Sequence, residues 1–424
     1  MLILLLIFFT HLIYHELTLF LCIINPMANY FISRYFYPDE SSANALLLDL
    51  TNKLSKEKIE VNVITSNNLS NNNVKLQKIE QLNDIKITRL RAFNSKKTKI
   101  YTRLLDYISF LINASFFVLF KIKKGDLVIC LSDPPFLFVF IALICKIKNI
   151  KQINWIHDVY PEVAGVVGVK IPFSNLLKKS RNWAMNHSNK NILISKEMED
   201  YFLKEGIKKD LMSIISNWAS KEELFPLKKV DNKQYYNYAN KEDFIISYSG
   251  NMGVLHDFDI LLKSIDFLQK DENIKFLFFG SGNQKRKIEE FISSNNLNNI
   301  KMLPFQDRQI LNMTLNIPDI HLITLKKNVS PFAFPSKIHG ITAVGKPLIF
   351  IGEKSCEMFK IVQRNELGFS VENHNLDELI EVIYLLKSNN ILRSKIAKNS
   401  REYFLSNFEY SLSYNKWNSE ILNI

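Results

Sequence analysis

Short apolar runs alternate with amphipathic stretches along most of the chain. Runs such as 60–65 and 126–131 are rich in Val, Ile and Leu and are followed by polar residues, as buried strands are. The stretches between such runs carry apolar residues at helical spacing, for example in the segment that ends near Leu54. Strands that alternate with helices in this way predict βαβ units and parallel sheets.

The predicted strands fall into two groups on either side of a segment rich in Lys, Asn and Tyr. The first group is 29–37, 60–65, 85–90, 126–131, 152–156, 191–195 and 213–216, and the second is 244–249, 275–279, 300–303, 317–325 and 348–351. We therefore expect an α/β protein with two parallel-sheet domains, residues 27–220 and 244–405, joined by a linker at 221–243. A C-terminal helix, 406–424, is expected to end a bent amphipathic stretch that begins near Ser400.

Residues 1–26 form a strongly apolar N-terminal extension that is about long enough to cross a bilayer. The segment has no basic leader region and no small-residue cleavage site, so a secretory signal is not expected. Two interpretations remain, a membrane anchor or upstream sequence that precedes a true start at Met27. The second is slightly favoured, because the first predicted strand would then follow its own Met.

A second long apolar segment, 101–122, is predicted to be a helix and is followed by Lys123 and Lys124. Most helices of this kind are buried in the protein. The alternative is a helix that rests on a membrane surface with its basic flank near lipid headgroups.

Charge and cysteine usage narrow the classes of function. The net charge is +12, from 54 Lys and Arg against 42 Asp and Glu, so the surface can attract phosphorylated substrates, anionic lipid or nucleic acid. The sequence has no zinc-finger spacing and no long basic helix that would favour DNA binding. The 4 cysteines are scattered without a CxxC pair, which argues against a zinc ribbon and a disulfide framework and fits a reducing compartment.

Eight of the 12 glycines lie between Gly250 and Gly368, mostly where a predicted strand gives way to a helix. Gly250 and Gly253 follow one strand, and Gly280 and Gly282 follow the next. Glycine lets a ligand phosphate approach the backbone, and ligands of parallel sheets bind beyond the carboxyl ends of the strands. The pattern predicts a nucleotide site. It is not a dinucleotide fingerprint, because Lys285 stands where a third glycine would be, and no P-loop sequence is present.

The segment 331–347 is predicted to be the centre of this site. It follows a predicted strand and offers an irregular loop, then Pro335, Ser336 and Lys337 at a helix start. Ser336 can cap the helix, and the free amides of a helix start, together with Lys337, attract anions. A phosphate-bearing ligand is therefore expected. An ordinary loop-to-helix junction with a solvated lysine is the alternative.

Polar residues of the first half gather after the strand predicted at 152–156. His157, Asp158 and Glu162 follow it, and a His–Asp pair can exchange protons near neutral pH. A structural pair without chemistry is the alternative. Farther along, His256 is expected either to meet a phosphate or to cap the helix that it precedes.

Seven segments, taken together, carry a family resemblance. They are YFYPDESSANALLLDL, SDPPFLF, WIHDVYPE, YSGNMGVLHDFD, FFGSGN, LPFQ and FPSKIHGITAVGKP. With these motifs in this order and spacing, the chain resembles glycosyltransferase family 4, the retaining transferases of GT-B fold that use nucleotide-sugar donors. It looks closest to the branch that makes bacterial surface polysaccharides and O-antigens. The resemblance runs from about Asn29 to the tail.

The resemblance implies two Rossmann-like domains that face each other across a cleft, with the acceptor held mainly by the first and the donor by the second. It implies a C-terminal helix that crosses back to the first domain, transfer with retained anomeric configuration, and no obligatory metal or other cofactor. For this family a front-face mechanism is usually favoured, in which the acceptor hydroxyl enters on the side of the leaving group. The charge on the departing phosphate is then what must be stabilised.

The resemblance also implies roles for individual residues. His157 and Asp158 match the first-domain site near donor sugar and acceptor, and Lys337 would stabilise the departing phosphate, which makes these three the catalytic candidates. The donor-binding candidates are Gly250, Asn251, Gly253, His256, Gly280, Gly282, Phe305, Gln306, Pro335 and Ser336.

Two departures from the family pattern concern the donor. Asn251 and His256 occupy the positions of an Arg and a Lys that hold the diphosphate in many members. Phe332 and Gly340 stand where many members carry two Glu residues in an EX7E arrangement, so the Glu that binds ribose is missing. A related branch shows the same pattern, and more of the donor contact then depends on Lys337.

The resemblance thus predicts a hexosyltransferase that passes a sugar from a nucleotide-sugar to a lipid-linked or polysaccharide acceptor. We expect it in the cytoplasm, peripheral at the inner face of the plasma membrane, with no nucleic-acid partner. One alternative is a nucleotide-sugar 2-epimerase of the same architecture, which needs acid and base groups on both sides of the sugar and no acceptor site. The other is a non-catalytic assembly partner that has lost its donor contacts.

Overall fold

The computed structural model describes residues 27–39, 42–69, 76–93 and 100–424. The two interpretations of residues 1–26 therefore concern a segment outside the described residues. Within the described part, strands and helices alternate along the chain as the sequence predicts.

The first sheet has eight strands and is mainly parallel. Its strands are β1 (Asn29–Ile32), β2 (Val61–Ser66), β3 (Ile79–Leu82), β4 (Ile85–Leu90), β5 (Leu127–Leu131), β6 (Lys151–Ile156), β7 (Lys190–Leu193) and β8 (Met212–Ile214). The strand order is β3-β4-β2-β1-β5-β6-β7-β8. β3 pairs with β4 in the antiparallel sense, whereas β1 pairs in parallel with both β2 and β5.

The second sheet has six strands, and all of its pairings are parallel. Its strands are β9 (Phe244–Ser249), β10 (Ile274–Phe279), β11 (Ile300–Leu303), β12 (Ile320–Thr324), β13 (Leu348–Ile351) and β14 (Gly368–Val371). Their order is β11-β10-β9-β12-β13-β14. The predicted α/β fold with two parallel-sheet domains is confirmed.

Helices connect the strands in both halves. They are α1 (Ser42–Lys56), α2 (Ile100–Lys121), α3 (Leu137–Lys148), α4 (Glu162–Val166), α5 (Ser174–His187), α6 (Lys196–Lys204), α7 (Asp259–Leu268), α8 (Lys285–Ser294), α9 (Arg308–Leu315), α10 (Lys337–Ala343), α11 (Glu357–Arg364), α12 (Leu376–Ser388), α13 (Asn390–Asn407) and α14 (Tyr410–Leu422).

Contacts divide the chain into two compact units, each of which is described by itself. The first unit comprises Met1–Trp155 with His187–Asn189, and the second comprises Ile156–Asn186 with Lys190–Ile424. The domain boundaries and the linker given in the sequence analysis stay predictions.

In the second unit the six-stranded sheet is covered on both faces, which explains why its strands read as continuous apolar runs. Ile246, Phe276 and Phe278 are fully buried on one side, in a core that includes α7 and α12. Ile323 and Phe350 are fully buried in a second core with α10 and α11. The strands of this sheet therefore hold the turns at their carboxyl ends in fixed positions.

The first strand and the C-terminal tail differ from the sequence prediction. β1 ends at Ile32, and the buried side chains of Tyr35 and Phe36 belong to the irregular segment that follows it. The tail is two helices, α13 and α14, and not one bent helix. The chain restarts at Glu409, whose carboxylate accepts a hydrogen bond of 2.9 Å from the Ser411 amide and so caps α14.

Candidate functional site

The predicted donor-binding residues gather at one edge of the six-stranded sheet. β9 lies between β10 and β12, and the three strands are parallel, so their carboxyl ends are adjacent. The turns 250–253 and 280–282 and the loop 325–336 follow these ends directly. This edge is where parallel sheets bind ligands.

Glycine is required in these turns by contact between the turns themselves. A Cβ added at Gly280 would lie 2.0 Å from the Gly250 carbonyl oxygen, and Gly280 also has a φ of +137°. A Cβ at Gly282 would lie 2.6 Å from the Met252 carbonyl oxygen. These glycines were expected to admit a ligand phosphate, whereas the close approach in the structure is of one turn's backbone to the other's.

The same contact engages two amides of the turn 250–253, where a ligand phosphate was expected to approach the backbone. The Gly250 amide donates to the Phe279 carbonyl at 2.8 Å, and the Met252 amide donates to the Ser281 carbonyl at 2.7 Å. Within the described residues, the amides of Asn251 and Gly253 have no acceptor. A ligand at this turn would therefore meet those two amides.

Lys337, the first residue of α10, lies over Gly250. A Cβ added at Gly250 would be 3.0 Å from Lys337 Cε and 3.4 Å from its Nζ. The ammonium lies 4.8 Å from the centroid of the Tyr248 ring, and among the described residues no carboxylate pairs with it. Burial lowers the pKa of Lys337 to about 7. A partly buried cation without a counter-ion, beside a glycine turn, is a site for an anion.

His256 orients this lysine. Its Nδ1 lies 2.6 Å from the Thr324 carbonyl oxygen, so Nδ1 must carry the proton and donate it, and Nε2 is left to accept a hydrogen bond from Lys337 at 3.2 Å. Burial lowers the pKa of His256 to about 3, and the charge of Lys337 adds to the effect. His256 is therefore neutral, and it supports Lys337 in place of adding a charge of its own.

Two supporting residues were missed by the sequence analysis. The Tyr248 hydroxyl donates to the Asn251 carbonyl at 2.8 Å. The Gln284 amide nitrogen donates to the carbonyls of Gly253, at 2.7 Å, and His256, at 2.9 Å. Tyr248 bonds to the turn that follows its own strand, whereas Gln284 bonds to residues about thirty positions away, and no motif in the sequence signals either contact.

The remaining donor-binding candidates differ in what they offer a ligand. Phe305 is 55% exposed and its ring borders Gly280, with Cε1 3.4 Å from the position of an added Cβ. The Gln306 side chain donates back to the Pro304 carbonyl at 3.0 Å. Phe305 thus presents an open aromatic face at the turn, whereas the amide of Gln306 is partly engaged.

Pro335 and Ser336 lead into α10. Pro335 is buried, and Ser336 is exposed. The prediction that Ser336 caps the helix is wrong, because its hydroxyl makes no capping hydrogen bond. Its carbonyl instead accepts a hydrogen bond of 2.7 Å from Nδ1 of the buried His339. The start of α10 is therefore fixed by a histidine inside the helix, which leaves the Ser336 hydroxyl exposed.

His157 and Asp158 lie in the second unit beside the loop 331–336. Asp158 forms an antiparallel bridge with Ala333, and the Val159 amide donates to the Phe332 carbonyl at 2.9 Å. The Asp158 side chain is exposed and His157 is half-buried. The structure therefore places both catalytic candidates of the first half next to the segment that carries Lys337.

The protonation of His157 differs from the expectation. Burial lowers its pKa to about 4, although a hydrogen bond with Asn217 opposes the shift. The imidazole is therefore neutral at neutral pH, and it does not titrate there as the sequence analysis expected. It can still accept or donate a hydrogen bond.

Glu162 belongs to a structural cluster. Its carboxylate pairs with Arg181 at 2.5 Å and with Lys178 at 3.3 Å, and it accepts a hydrogen bond from the Tyr201 hydroxyl. Burial opposes ionisation of Glu162, but Arg181 and the Tyr201 hydroxyl outweigh it and lower its pKa. The structural interpretation therefore holds for Glu162, and it is not a free base.

Among the described residues, no group of three or more His, Cys, Asp or Glu side chains is arranged to hold a metal ion. The chemistry that the site offers is an unpaired ammonium, two amides, an aromatic face and an exposed carboxylate.

Comparison with known proteins gives a family for the second half of the chain. Residues 231–403 match the family Glycosyl transferases group 1. WbjE of Pseudomonas aeruginosa, described as a probable glycosyltransferase, is 24% identical over 67% of this chain and 73% of its own length. WcaI of Escherichia coli (strain K12), described as a putative colanic acid biosynthesis glycosyl transferase, is 23% identical over 72% of this chain and 78% of its own length.

A solved structure shares the fold of nearly the whole chain. HepE of Anabaena, crystallised in complex with UDP and glucose, superposes with a TM-score of 0.71 at 14% identity, over 94% of this chain and 100% of its own. The two parallel sheets are thus those of the GT-B glycosyltransferase fold. The chain carries a glycosyl transferases group 1 domain in a GT-B fold, and it has relatives among the glycosyltransferases of polysaccharide biosynthesis.

Proposed function

We propose that this protein is a retaining hexosyltransferase of glycosyltransferase family 4. It moves a sugar from a nucleotide-sugar donor to a lipid-linked or polysaccharide acceptor, in the synthesis of a cell-surface polysaccharide such as O-antigen, at the inner face of the plasma membrane. The observation that carries the proposal is Lys337, whose ammonium lies over Gly250 with no carboxylate partner among the described residues.

The donor's diphosphate supplies the anion that this geometry lacks. Lys337 meets it with a full charge, and the amides of Asn251 and Gly253 meet it with hydrogen bonds. Phe305 offers its exposed ring to the base. The HepE complex supports this ligand class, because a protein of the same fold is crystallised there with UDP and glucose.

Transfer is driven by stabilising the leaving phosphate. As the glycosidic bond breaks, negative charge grows on the departing oxygen, and a cation fixed beside it stabilises the transition state more than the bound donor. His256 holds Lys337 in place for this purpose through the 3.2 Å hydrogen bond. Asp158, exposed beside the loop 331–336, accepts a hydrogen bond from a sugar or acceptor hydroxyl, and His157 lies next to it. We propose that these residues act without a metal, so that EDTA leaves the rate unchanged.

Replacement of the lysine tests the assignment. We expect Lys337→Met to lower kcat/KM for sugar transfer about 10- to 100-fold, since a charge-assisted hydrogen bond contributes roughly 1.5–3 kcal/mol. Transfer is measured with purified protein, a panel of nucleotide-sugars and membrane extract as acceptor. A second readout is proton uptake on donor binding at pH 8 by calorimetry in two buffers, because the anion returns the pKa of Lys337 from about 7 toward its ordinary value. Lys337→Met abolishes this uptake.

Lys346→Met is the matched control. Lys346 is also half-buried, its pKa is also lowered by burial, and it follows the same helix at its other end. Full activity in Lys337→Met, or an equal loss in both variants, contradicts the assignment. Release of an epimerised nucleotide-sugar without acceptor would show the 2-epimerase instead.

A further inference from the structure

The helix α2 is apolar on two opposite faces. One face carries Phe110, Ala114, Val118 and Ile122, which are at most 1% exposed and pack in the first unit. The other face is a stripe of exposed apolar residues four positions apart. It consists of Leu104 at 55%, Ile108 at 42%, Ile112 at 50%, Phe116 at 54% and Phe120 at 71% exposure. A surface helix ordinarily carries polar residues on this second face.

The neighbouring helix α3 continues the exposed surface. Phe140, Leu143 and Ile147, three and four positions apart, are 54%, 53% and 74% exposed. The ammonium of Lys148 joins the two helices, because it donates to the carbonyls of Leu119 at 2.6 Å and Ile122 at 2.5 Å near the end of α2. We call the exposed residues of both helices the α2–α3 face. Contiguous exposed apolar surfaces of this kind mark interaction sites.

The residues around the α2–α3 face are basic. Lys121, Lys123, Lys124 and Lys146 are exposed at its end. Between residues 100 and 125 the one acidic residue is Asp106, which is buried 3.8 Å from Arg34, and residues 137–151 contain no acid at all. The occupant must therefore be apolar in its interior and anionic at its surface, and an anionic bilayer has both properties.

The packing of α2 decides how it would meet a bilayer. The segment Thr102–Lys121 is long and apolar enough to cross a membrane by length and composition. However, one side of it is buried in the first unit, and a spanning helix could not keep that side packed. The helix can only lie along the surface, with its exposed side toward lipid.

We propose that the α2–α3 face docks the first unit on an anionic membrane, with its apolar side chains at the acyl boundary and its lysines among the headgroups. This deepens the membrane placement in the proposed function. Its test uses neither donor nor acceptor, so the outcome is independent of the transfer assay.

The experiment places tryptophan reporters in the full chain. Ile112→Trp and Leu143→Trp report from the α2–α3 face, and Ile391→Trp, at a side chain that is 84% exposed in the second unit, is the matched control. Vesicles contain phosphatidylglycerol with acyl-brominated lipid, or brominated phosphatidylcholine alone. The signal of each reporter is the fluorescence of the variant minus that of the unchanged chain. We expect this signal to fall at least 2-fold with the anionic vesicles for Trp at 112 and at 143. For Trp at 391 we expect it to stay unchanged.

A binding assay supplies the second arm. We expect the pair Ile112→Glu and Phe116→Glu to weaken co-sedimentation with anionic vesicles at least 10-fold, and the control pair Val230→Glu and Ile391→Glu to leave it unchanged. Equal quenching at 112, 143 and 391, or unchanged binding of the first pair, overturns the proposal. So does equal binding to both vesicle types, or a dimer in lipid-free solution that the first pair dissociates, since a second copy of the chain would then be the occupant.

Discussion

At the scale of the residue, Gly280 and Lys337 belong to the same edge of the sheet but are constrained differently. Gly280 is fixed by the Gly250 carbonyl, against which no side chain fits. Lys337 is held by His256 and by the Tyr248 ring, and no carboxylate among the described residues pairs with its charge. The fold alone therefore explains why position 280 is a glycine, but it does not explain why position 337 is a lysine.

Alanine substitution separates close contact from backbone strain. Gly125 has a φ of +98° with no atom near an added Cβ, whereas Gly280 has a φ of +137° and an oxygen at 2.0 Å. We expect Gly125→Ala to cost about 1 kcal/mol of unfolding free energy, and Gly280→Ala several times more, on the order of 3 kcal/mol or above. Urea unfolding of both variants measures the difference. Equal costs would show that the turns 250–253 and 280–282 do not touch.

The sequence could predict part of this site. Gly250, Gly280 and Lys337 were found because the ends of parallel strands converge, which makes residues distant in sequence neighbours in space. Tyr248, Gln284 and the proton on His256 could not be found, since their roles depend on hydrogen bonds whose partners only the folded chain reveals. The neutral state of His157 was missed for the same reason, because burial is a property of the whole fold.

At the scale of the element, the helices α6 and α11 cap each other. The Glu357 carboxylate accepts hydrogen bonds from the Lys196 and Glu197 amides at 3.3 and 2.9 Å. The Glu197 carboxylate accepts from the Glu357 amide at 3.0 Å and from the Ser330 hydroxyl. Each helix start thus receives an anion from the other. Burial, with the charge of Glu197 adding, raises the pKa of Glu357.

Removal of these carboxylates tests the reciprocal caps. We expect Glu197→Ala and Glu357→Ala each to lower the unfolding free energy by about 1–2 kcal/mol. The double variant loses more than the sum of the two single losses, because each single variant also relieves the repulsion between the two carboxylates. Glu290→Ala, at an exposed pair with Arg286, is the control and changes stability by about 0.5 kcal/mol or less. Strict additivity in urea unfolding would mean that the two carboxylates do not interact.

Strands were predictable where an apolar sequence coincides with a buried position in the sheet. β9, β10 and β11 are apolar runs that stop at Gly or Pro, and their observed bounds lie within one residue of the prediction. β3 was missed because its residues are partly or fully exposed at the sheet edge, where no apolar alternation is needed. β14 was missed because it has four residues and begins with glycine.

At the scale of the whole molecule, buried histidines set the response to acid. His321 and His339 are 0% and 3% exposed, and burial lowers the pKa of each to about 4. Their unfolded pKa is about 6.5. Between these values the unfolded chain binds protons that the folded chain does not, so stability is lost as pH falls below 6.5.

The slope of this loss can be measured before the carboxylates titrate. If the unfolded chain binds two more protons than the folded chain, the unfolding free energy falls by about 2.7 kcal/mol per pH unit. The slope approaches this value between pH 6 and 5. Urea unfolding followed by tryptophan fluorescence reports mainly on the second unit, which contains Trp183, Trp218 and Trp417. The double variant His321→Gln and His339→Gln should lower the slope by about this amount and leave the part that comes from His157 and His256, whose pKa values burial also lowers. An unchanged slope would show that these rings are protonated in the folded protein.

The contact between the two glycine turns bears on how this chain and its descendants can change over evolution. A gene copy that lost transferase activity but kept its fold would still need Gly280 and Gly282, so these glycines cannot distinguish a working enzyme from an inactive one. Lys337 is under no such requirement, and drift would remove it early. A survey of natural variants that asks whether position 337 stays basic while the glycines are retained would therefore separate catalysts from scaffolds.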